Sequence, residues 1–386
     1  VPAPVALRLR RDLRRAVRSG HPWIYRDALQ PFRAAPGDPV RLQDKDGRFL
    51  AAGIAEAGPI GARLWTTRDE PVDAALVQRR VEEAAALRRR MAPPRTDALR
   101  VLHGEGDRLG GAVCDRYGPF LSVALDGEGV LPWRAPLVDA LRAAHGDAEG
   151  ILLRWGRRGE RRVEVAEGTV PEGPVEVLER GMRLAVDLRA GQKTGLFLDH
   201  RESRRRVRNL AEGCRTLNLY GYTGGFSVAA GLGGAREVVT VDLAAPALAL
   251  ARRSWAANGL APGLHRTEAA DVPAFLDADD GGWDLIVADP PSFAPRRAAL
   301  DKALASYRKL HAACLRRLRR GGFYLAASCS SHVDRPAFEE TVRAGASQAR
   351  VVLQVLDRWG GAPDHPRLLA FPEGDYLKCL LVRVVG

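Results

Sequence analysis

The sequence predicts an α/β protein in which a doubly wound C-terminal domain follows a small β-rich domain and a central α+β domain. Three observations carry this expectation. Beyond residue 215, apolar strand-like runs alternate with Ala/Leu-rich helical ones, the rhythm of a nearly parallel sheet with helices on its faces. Between Asp38 and Trp65, short alternating runs are separated by turn signals, which favours a small β domain. The stretch between these regions opens with a helix and continues in strands. The expected boundaries are 1–68, 69–188 and 189–386.

The chain has 386 residues and a formal charge of +12, enough length for two or three cores and a balance that favours a polyanionic partner. Lysine occurs only at Lys45, Lys193, Lys302, Lys309 and Lys378, so arginine supplies nearly all the positive charge. Its planar fork suits phosphate oxygens. Cys114, Cys214, Cys314, Cys329 and Cys379 are scattered, with no C-x-x-C pair and no metal spacing, so neither a disulfide scaffold nor a metal site is expected. No long apolar run or signal-peptide pattern is visible, which sets the expectation of a cytoplasmic protein without a membrane partner. The first residue is Val1, which implies trimming of an initiator methionine.

In order along the chain, residues 8–18 carry six arginines against one aspartate, a basic surface at either helical or extended spacing. His21-Pro22-Trp23-Ile24-Tyr25 sets aromatics beside it. The runs V-R-L, F-L-A-A-G-I-A and I-G-A-R-L-W, with D-K-D-G at 44–47, read as strands and a hairpin turn. Residues 71–91 read as a helix with apolar returns at i+3 and i+4, broken by Pro93-Pro94. Strands are expected at 120–125, 151–155, 162–165, 175–178 and 182–186, a helix at 136–145, and a polar turn G-R-R-G-E-R-R from 156. Cys114, beside Val113, reads as core. Gln192–Arg204 is dense in polar groups. The strands expected next are 216–220, 237–241, 283–288, 322–327, 351–357 and 376–384, with helices at 226–231, 245–257, 301–319 and 336–347.

In an open α/β sheet, ligands sit beyond the carboxyl ends of the strands, and four expected ends carry notable residues. Leu217–Phe226 (L-N-L-Y-G-Y-T-G-G-F) reads as strand, tight loop and helix start, giving backbone access to a ligand. It matches neither standard nucleotide glycine motif, and a plain turn is the alternative. Asp242 ends V-V-T-V about twenty residues on, where a carboxylate can hold two ribose hydroxyls; a helix cap is the alternative. Asp289-Pro290-Pro291-Ser292-Phe293 forms a rigid, N–H-poor loop with an aromatic suited to stacking on a base. Ser328-Cys329-Ser330-Ser331-His332 places a cysteine between hydroxyls at the same edge.

Taken together, Q-K-T-G-L-F-L-D-H-R, L-N-L-Y-G-Y-T-G-G-F-S, V-D-L-A-A-P-A, A-D-P-P-S-F and S-C-S-S-H resemble the RlmI-like 23S ribosomal RNA cytosine-C5 methyltransferases. The resemblance spans nearly the whole chain. H-P-W-I-Y and the strands to Trp65 resemble that family's PUA domain, H-G-E-G-D-R-L-G-G-A-V-C-D-R-Y-G its central domain, and P-D-H-P with F-P-E-G-D-Y-L-K its C-terminal end. It implies a Rossmann-like methyltransferase domain, S-adenosyl-L-methionine as cofactor and 23S rRNA, free or in an assembly intermediate, as partner; a homodimer is left open. Two positions depart from the family's habit: Gly221 stands where serine is common, and His200 where glutamine is.

The resemblance also implies roles. Tyr220, Tyr222, Thr223, Gly224 and Gly225 turn under the methionine part of the cofactor, Asp242 lies at the ribose, Asp271 at the adenine, and Leu243 is a further cofactor contact. Lys193 and Thr194 line the cofactor and substrate side. Cys329 is the nucleophile, and Asp289 meets both cofactor side and cytosine edge. Pro290, Phe293, Arg201, His21 and Trp23 are the expected RNA contacts, Arg201 through phosphate.

Chemistry demands such parts by itself. Cytosine C5 is a poor nucleophile; thiolate attack at C6 makes it enamine-like, so that it accepts a methyl group, after which loss of the C5 proton expels the cysteine. A carboxyl near N3 assists the attack. Two rivals stand beside this. Asp-Pro-Pro-aromatic segments also resemble methyltransferases of exocyclic amines, which need no cysteine, and an RNA-binding protein can keep the fold without catalysis.

Overall fold

The computed structural model describes residues 3–156, 160–294 and 296–385. The chain forms two compact units: residues 1–175 with 187–196 and 363–374, and residues 176–186 with 197–362 and 375–386.

In the first unit, β1 (Val5–Arg8), α1 (Arg14–Arg18), β2 (Trp23–Tyr25), β3 (Pro39–Gln43), β4 (Phe49–Ala55) and β5 (Ile60–Thr66) build a sheet in the order β1-β3-β4-β5-β2. The basic run is thus part strand and part short helix. Leu7, Leu9 and Val17 are buried from it while Arg8, Arg10, Arg11, Arg15 and Arg18 stay exposed. Alternate residues of a strand face opposite ways, which is how so basic a stretch still anchors a core. Next come α2 (Ala74–Met91), β6 (Ala98–His103), β7 (Ala112–Tyr117), β8 (Phe120–Leu125), α3 (Arg134–Ala144), β9 (Gly150–Trp155) and β10 (Arg162–Gly168), a second sheet ordered β10-β9-β8-β7-β6 with two helices. Helix α2 starts later than its apolar pattern because Asp73 accepts from the Leu76 N–H at 3.0 Å and caps it. Cys114 is fully buried, as expected. Of the expected polar turn, Arg157, Arg158 and Gly159 lie outside the described residues.

The two sheets of this unit share polar groups. Buried Arg63 of β5 reaches Glu56 and Asp126 at 3.0 Å and also Glu105, while Glu56 accepts from the backbone N–H of Glu128 and Gly129. A Cβ at Gly127 would lie 2.3 Å from Glu56 Oε2 and one at Gly129 2.3 Å from the Ala55 carbonyl oxygen, so the glycines are there for close approach.

The second unit opens with the hairpin β11 (Val175–Glu179) and β12 (Met182–Val186), then α4 (Arg201–Leu210), β13 (Arg215–Leu219), α5 (Gly225–Leu232), β14 (Glu237–Asp242), α6 (Ala245–Ala257), β15 (His265–Ala269), α7 (Val272–Ala278), β16 (Trp283–Ala288), α8 (Leu300–Arg317), β17 (Leu318–Ser328), α9 (Arg335–Ala349), β18 (Leu353–Trp359) and β19 (Lys378–Val384). The seven-stranded sheet runs β15-β14-β13-β16-β17-β19-β18. The five strands from β15 to β17 are parallel; β19 is antiparallel to both neighbours. Strand order reverses between β13 and β16, so the glycine loop and the Asp-Pro-Pro loop leave adjacent strands in the same direction, where such sheets bind ligands.

The strand β15 and helix α7 have no counterpart in the sequence pattern. H-R-T-E-A pairs with β14 at the sheet edge and is largely polar, so it lacks the apolar run that marks inner strands.

An ion pair anchors this unit. Glu179 receives Arg204 through two bonds, 2.6 and 2.5 Å, and lies 3.7 Å from the Arg201 Nε, all three side chains being almost fully buried. Removing one partner of a buried pair leaves an uncompensated charge. Glu179→Ala is therefore expected to lower the stability of this unit by about 3 kcal/mol, read as an earlier unfolding transition in urea, with Glu179→Asp losing less.

Candidate active site

The loop after β13 is backbone-strained. Tyr220 and Tyr222 take φ of 56° and 46°, and Gly224 takes 73°. A Cβ at Gly224 would lie 2.6 Å from that of Ala251 on α6, so helix packing as well as φ requires glycine. At Gly221 a Cβ would meet Thr240 Cγ2 at 2.4 Å and the Asn218 amide at 2.9 Å. Those neighbours belong to a buried hydrogen-bonded chain: Asn218 donates to Ser227 Oγ at 2.9 Å, Ser227 and Thr240 hydroxyls lie 2.6 Å apart, and Thr240 meets His265 at 2.8 Å. Glycine at 221, the departure from the family's serine, leaves room for that chain.

Asp242, at the end of β14, ties this loop down. Its Oδ2 accepts from the Tyr222 N–H and its Oδ1 from the Ala244 N–H, both at 2.8 Å. Each oxygen keeps a second lone pair, so the carboxylate is preset for two further donors such as ribose hydroxyls. Leu243 beside it is 72% exposed, an apolar side chain placed at the rim of the sheet. Asp271 caps α7 through a 3.4 Å bond from the Ala274 N–H and is exposed. Thr223 is buried, and Gly225 opens α5, whose first N–H groups lack helical partners. These features fit an adenosyl cofactor: two ribose acceptors, an apolar rim and an open loop.

The loops after β16 and β17 meet. The Cys329 Sγ lies 4.0 Å from the carbonyl oxygen of Pro290, which directly follows Asp289, and Cys329 alone among the five cysteines is not buried. The Ser330 hydroxyl is 3.2 Å from Ser292 Oγ and 3.0 Å from the Tyr307 hydroxyl, which also contacts Ser328 Oγ at 2.8 Å. Burial pushes the Tyr307 phenol up to about 12, so it stays a neutral donor and acceptor that staples both loops to α8. Phe293 packs half-buried on Tyr307, ring centroids 4.8 Å apart, and Pro290 is buried, so both pack inward.

Asp289 itself is held from the turn that leads into α4. Its Oδ2 is 3.0 Å from His200 Nε2, and the His200 Nδ1 is 3.1 Å from Ser203 Oγ, a hydroxyl that also accepts from Trp359 at 2.9 Å. Burial works against a charged imidazole, but the Asp289 carboxylate, with Cys379 beyond it, outweighs this and holds His200 well above the usual histidine range. The sequence marked His200 only as a departure from glutamine; its place four residues ahead of buried Arg204 on one helical face was the available signal.

Of the other expected contacts, Arg201 belongs to this unit and Lys193, Thr194, His21 and Trp23 to the first. Arg201, expected at a phosphate, has a side chain only 2% exposed that faces Glu179. Lys193 and Thr194 belong to the first unit, where the Thr194 hydroxyl meets Asp115 and, at 3.2 Å, Tyr117. In that unit Trp23 donates to Glu105 at 2.9 Å and packs on Phe371, and His21 Nε2 lies 3.7 Å from Glu373, both half-buried. Among the described residues no His, Cys, Asp or Glu cluster is arranged to hold a metal, and no helix is long and apolar enough to cross a membrane.

Comparison with known proteins shows the family and the fold. Residues 137–383 match the family of S-adenosylmethionine-dependent methyltransferases, and residues 7–67 match a PUA-like domain. A ribosomal RNA large subunit methyltransferase of Deinococcus radiodurans is 36% identical, over 99% of each chain. A ribosomal RNA large subunit methyltransferase I of Erwinia tasmaniensis is 34% identical, over 95% of this chain and 96% of its own. The fold is that of a putative methyltransferase from Streptococcus mutans, with TM-score 0.88 at 24% identity, covering 98% of this chain and 100% of that one. A second solved structure, a putative methyltransferase in complex with SAH, also has TM-score 0.88 at 24% identity, covering 99% and 100%.

A charged His200–Asp289 pair has a pH signature. Because the folded-state pKa of His200 is raised, the pair's contribution is complete below the unfolded value of about 6.5 and is lost as pH rises through the folded value. His200→Ala is expected to cost about 3 kcal/mol at pH 6. The gap to wild type, followed by chemical denaturation, should shrink in the alkaline range; a gap independent of pH would mean that the imidazole is neutral.

Proposed function

Since the chain belongs to the S-adenosylmethionine-dependent methyltransferases and is closely related to the RlmI-type enzymes of ribosomal RNA, we propose that it methylates C5 of a cytosine in 23S rRNA through a Cys329–C6 adduct. One observation supports the finer reading: the half-buried thiol of Cys329 lies 4.0 Å from the carbonyl oxygen of Pro290, which brings the cysteine turn beside the loop that begins with Asp289. The cofactor is S-adenosyl-L-methionine, which supplies an electrophilic methyl group when bound. Asp242 would hold its ribose, the 220–225 loop its methionine part, and Leu243 and Asp271 its adenine side.

The protein's own residues then act on the base. Thiolate attack by Cys329 forms the S–C6 bond and drives electron density to C5, which takes the methyl group. Asp289 meets the N3 edge, and the imidazolium of His200, 3.0 Å away, supplies the proton that a carboxylate alone would lack at neutral pH. Transfer of the C5 proton to a base and return of the N3 proton to the Asp289–His200 pair restore the ring and break the S–C6 bond, freeing Cys329 as the thiolate. Such chemistry requires the cytosine to leave its stack, which favours free rRNA or an assembly intermediate over a finished duplex. The exposed arginines of β1 and α1 support backbone contacts to RNA that carry no sequence information.

Cys329→Ala is expected to abolish methyl transfer to unmodified rRNA, measured with labelled cofactor and mapped by mass spectrometry. Asp289→Asn should lower kcat by roughly 100- to 10,000-fold. RNA carrying 5-fluorocytidine at the target should trap a covalent complex. Transfer that survives Cys329→Ala would sink the adduct and point to an exocyclic amine as acceptor.

A further inference from the structure

Lys378 is the first residue of β19 and its side chain is almost wholly buried. A buried lysine is unusual and needs partners. It sits opposite Ser328 in the antiparallel register with β17, on one side of Cys329. Its ammonium reaches to the other side, donating to the Ser330 carbonyl at 2.6 Å and to the Tyr376 carbonyl at 2.8 Å. The lysine therefore brackets the cysteine by register before it and by hydrogen bond after it. Two of its three donors are used on those carbonyls, one of them on the residue that directly follows Cys329.

We propose that Lys378 is a positioning residue for Cys329: it fixes the turn through the Ser330 carbonyl and supplies the positive charge that favours the thiolate. The proposal rests on the reading of Cys329 as nucleophile and deepens it. A thiolate is the reactive form of cysteine, and a neighbouring cation lowers the pH at which it forms. Burial draws the Lys378 ammonium down to about 8, with Cys329 and Asp375 working to keep it charged, so the cation persists at neutral pH and is lost as pH rises above that value. The other groups around this pair are Asp334 and Arg335 at the start of α9, Tyr307 of α8 and Asp289 with His200; Arg335 donates to the Trp359 carbonyl at 3.2 Å. Against the carboxylates Asp289, Asp334 and Asp375, which disfavour a second anion, Lys378 is the cation bonded to the cysteine's own turn.

The test is the pH profile of Cys329 alkylation by iodoacetamide on the full chain, with modification at Cys329 resolved by peptide mass mapping and Cys329→Ala as blank. Wild type should alkylate with a midpoint below the ~8.5 of a free cysteine. Lys378→Met should move the midpoint up by about one unit, a roughly tenfold slower reaction at pH 7, and Lys378→Arg should restore part of the shift. A looser turn alone would change the plateau rate and leave the midpoint in place, which would overturn the charge role. If Lys378→Met does not fold, a wild-type midpoint at or above the free-cysteine value overturns the proposal. Methyl transfer by Cys329→Ala tests the nucleophile separately, so loss of that reading and loss of this one give different results.

Discussion

The carboxyl edge of the C-terminal sheet depends on one constraint: a carboxylate moved out of water needs a partner held in place. Asp289 is four-fifths covered, and His200 meets it from another element, anchored in turn through Ser203 and Trp359. That pair ties α4 to the loop after β16, and the Ser292–Ser330–Tyr307 hydroxyls tie the same loop to the turn after β17. The chemistry is placed by polar satisfaction in the interior.

The same logic explains the arginines. Composition read them as a surface for a polyanion, and those of β1 and α1 are indeed exposed. Others turn inward. Arg204 and Arg201 gather on Glu179, Arg63 joins three carboxylates, and Arg100 is bonded to Asp115 at 2.6 Å. A guanidinium can satisfy several acceptors in fixed geometry, so an arginine-rich chain can use it as an interior connector where the count of charges sees only a basic protein.

Two departures from the family's pattern acquire physical reasons. Gly221 leaves space for the Asn218–Ser227–Thr240–His265 chain under the loop. His200 replaces a neutral amide by a group able to carry a proton beside Asp289. Neither reason is visible in a motif, because each depends on residues distant in sequence that packing brings within 3 Å.

The sequence by itself determined the parallel-sheet architecture, since inner strands such as W-D-L-I-V-A and V-V-T-V are apolar runs framed by helices, and 245–257 and 283–288 are placed to the residue. It also marked which strand ends carry candidate polar residues, because Asp242 and Asp289 follow those runs directly and Cys329 closes the next one. The polar edge strand β15 escaped it, having no periodicity to read. Tertiary structure alone decided that Arg201 faces inward, that His200 meets Asp289, and that Lys378, distant along the chain, brackets Cys329. Local pattern records which face of an element is buried; which charged group waits there is settled only when sheet register and helix packing bring separate segments together.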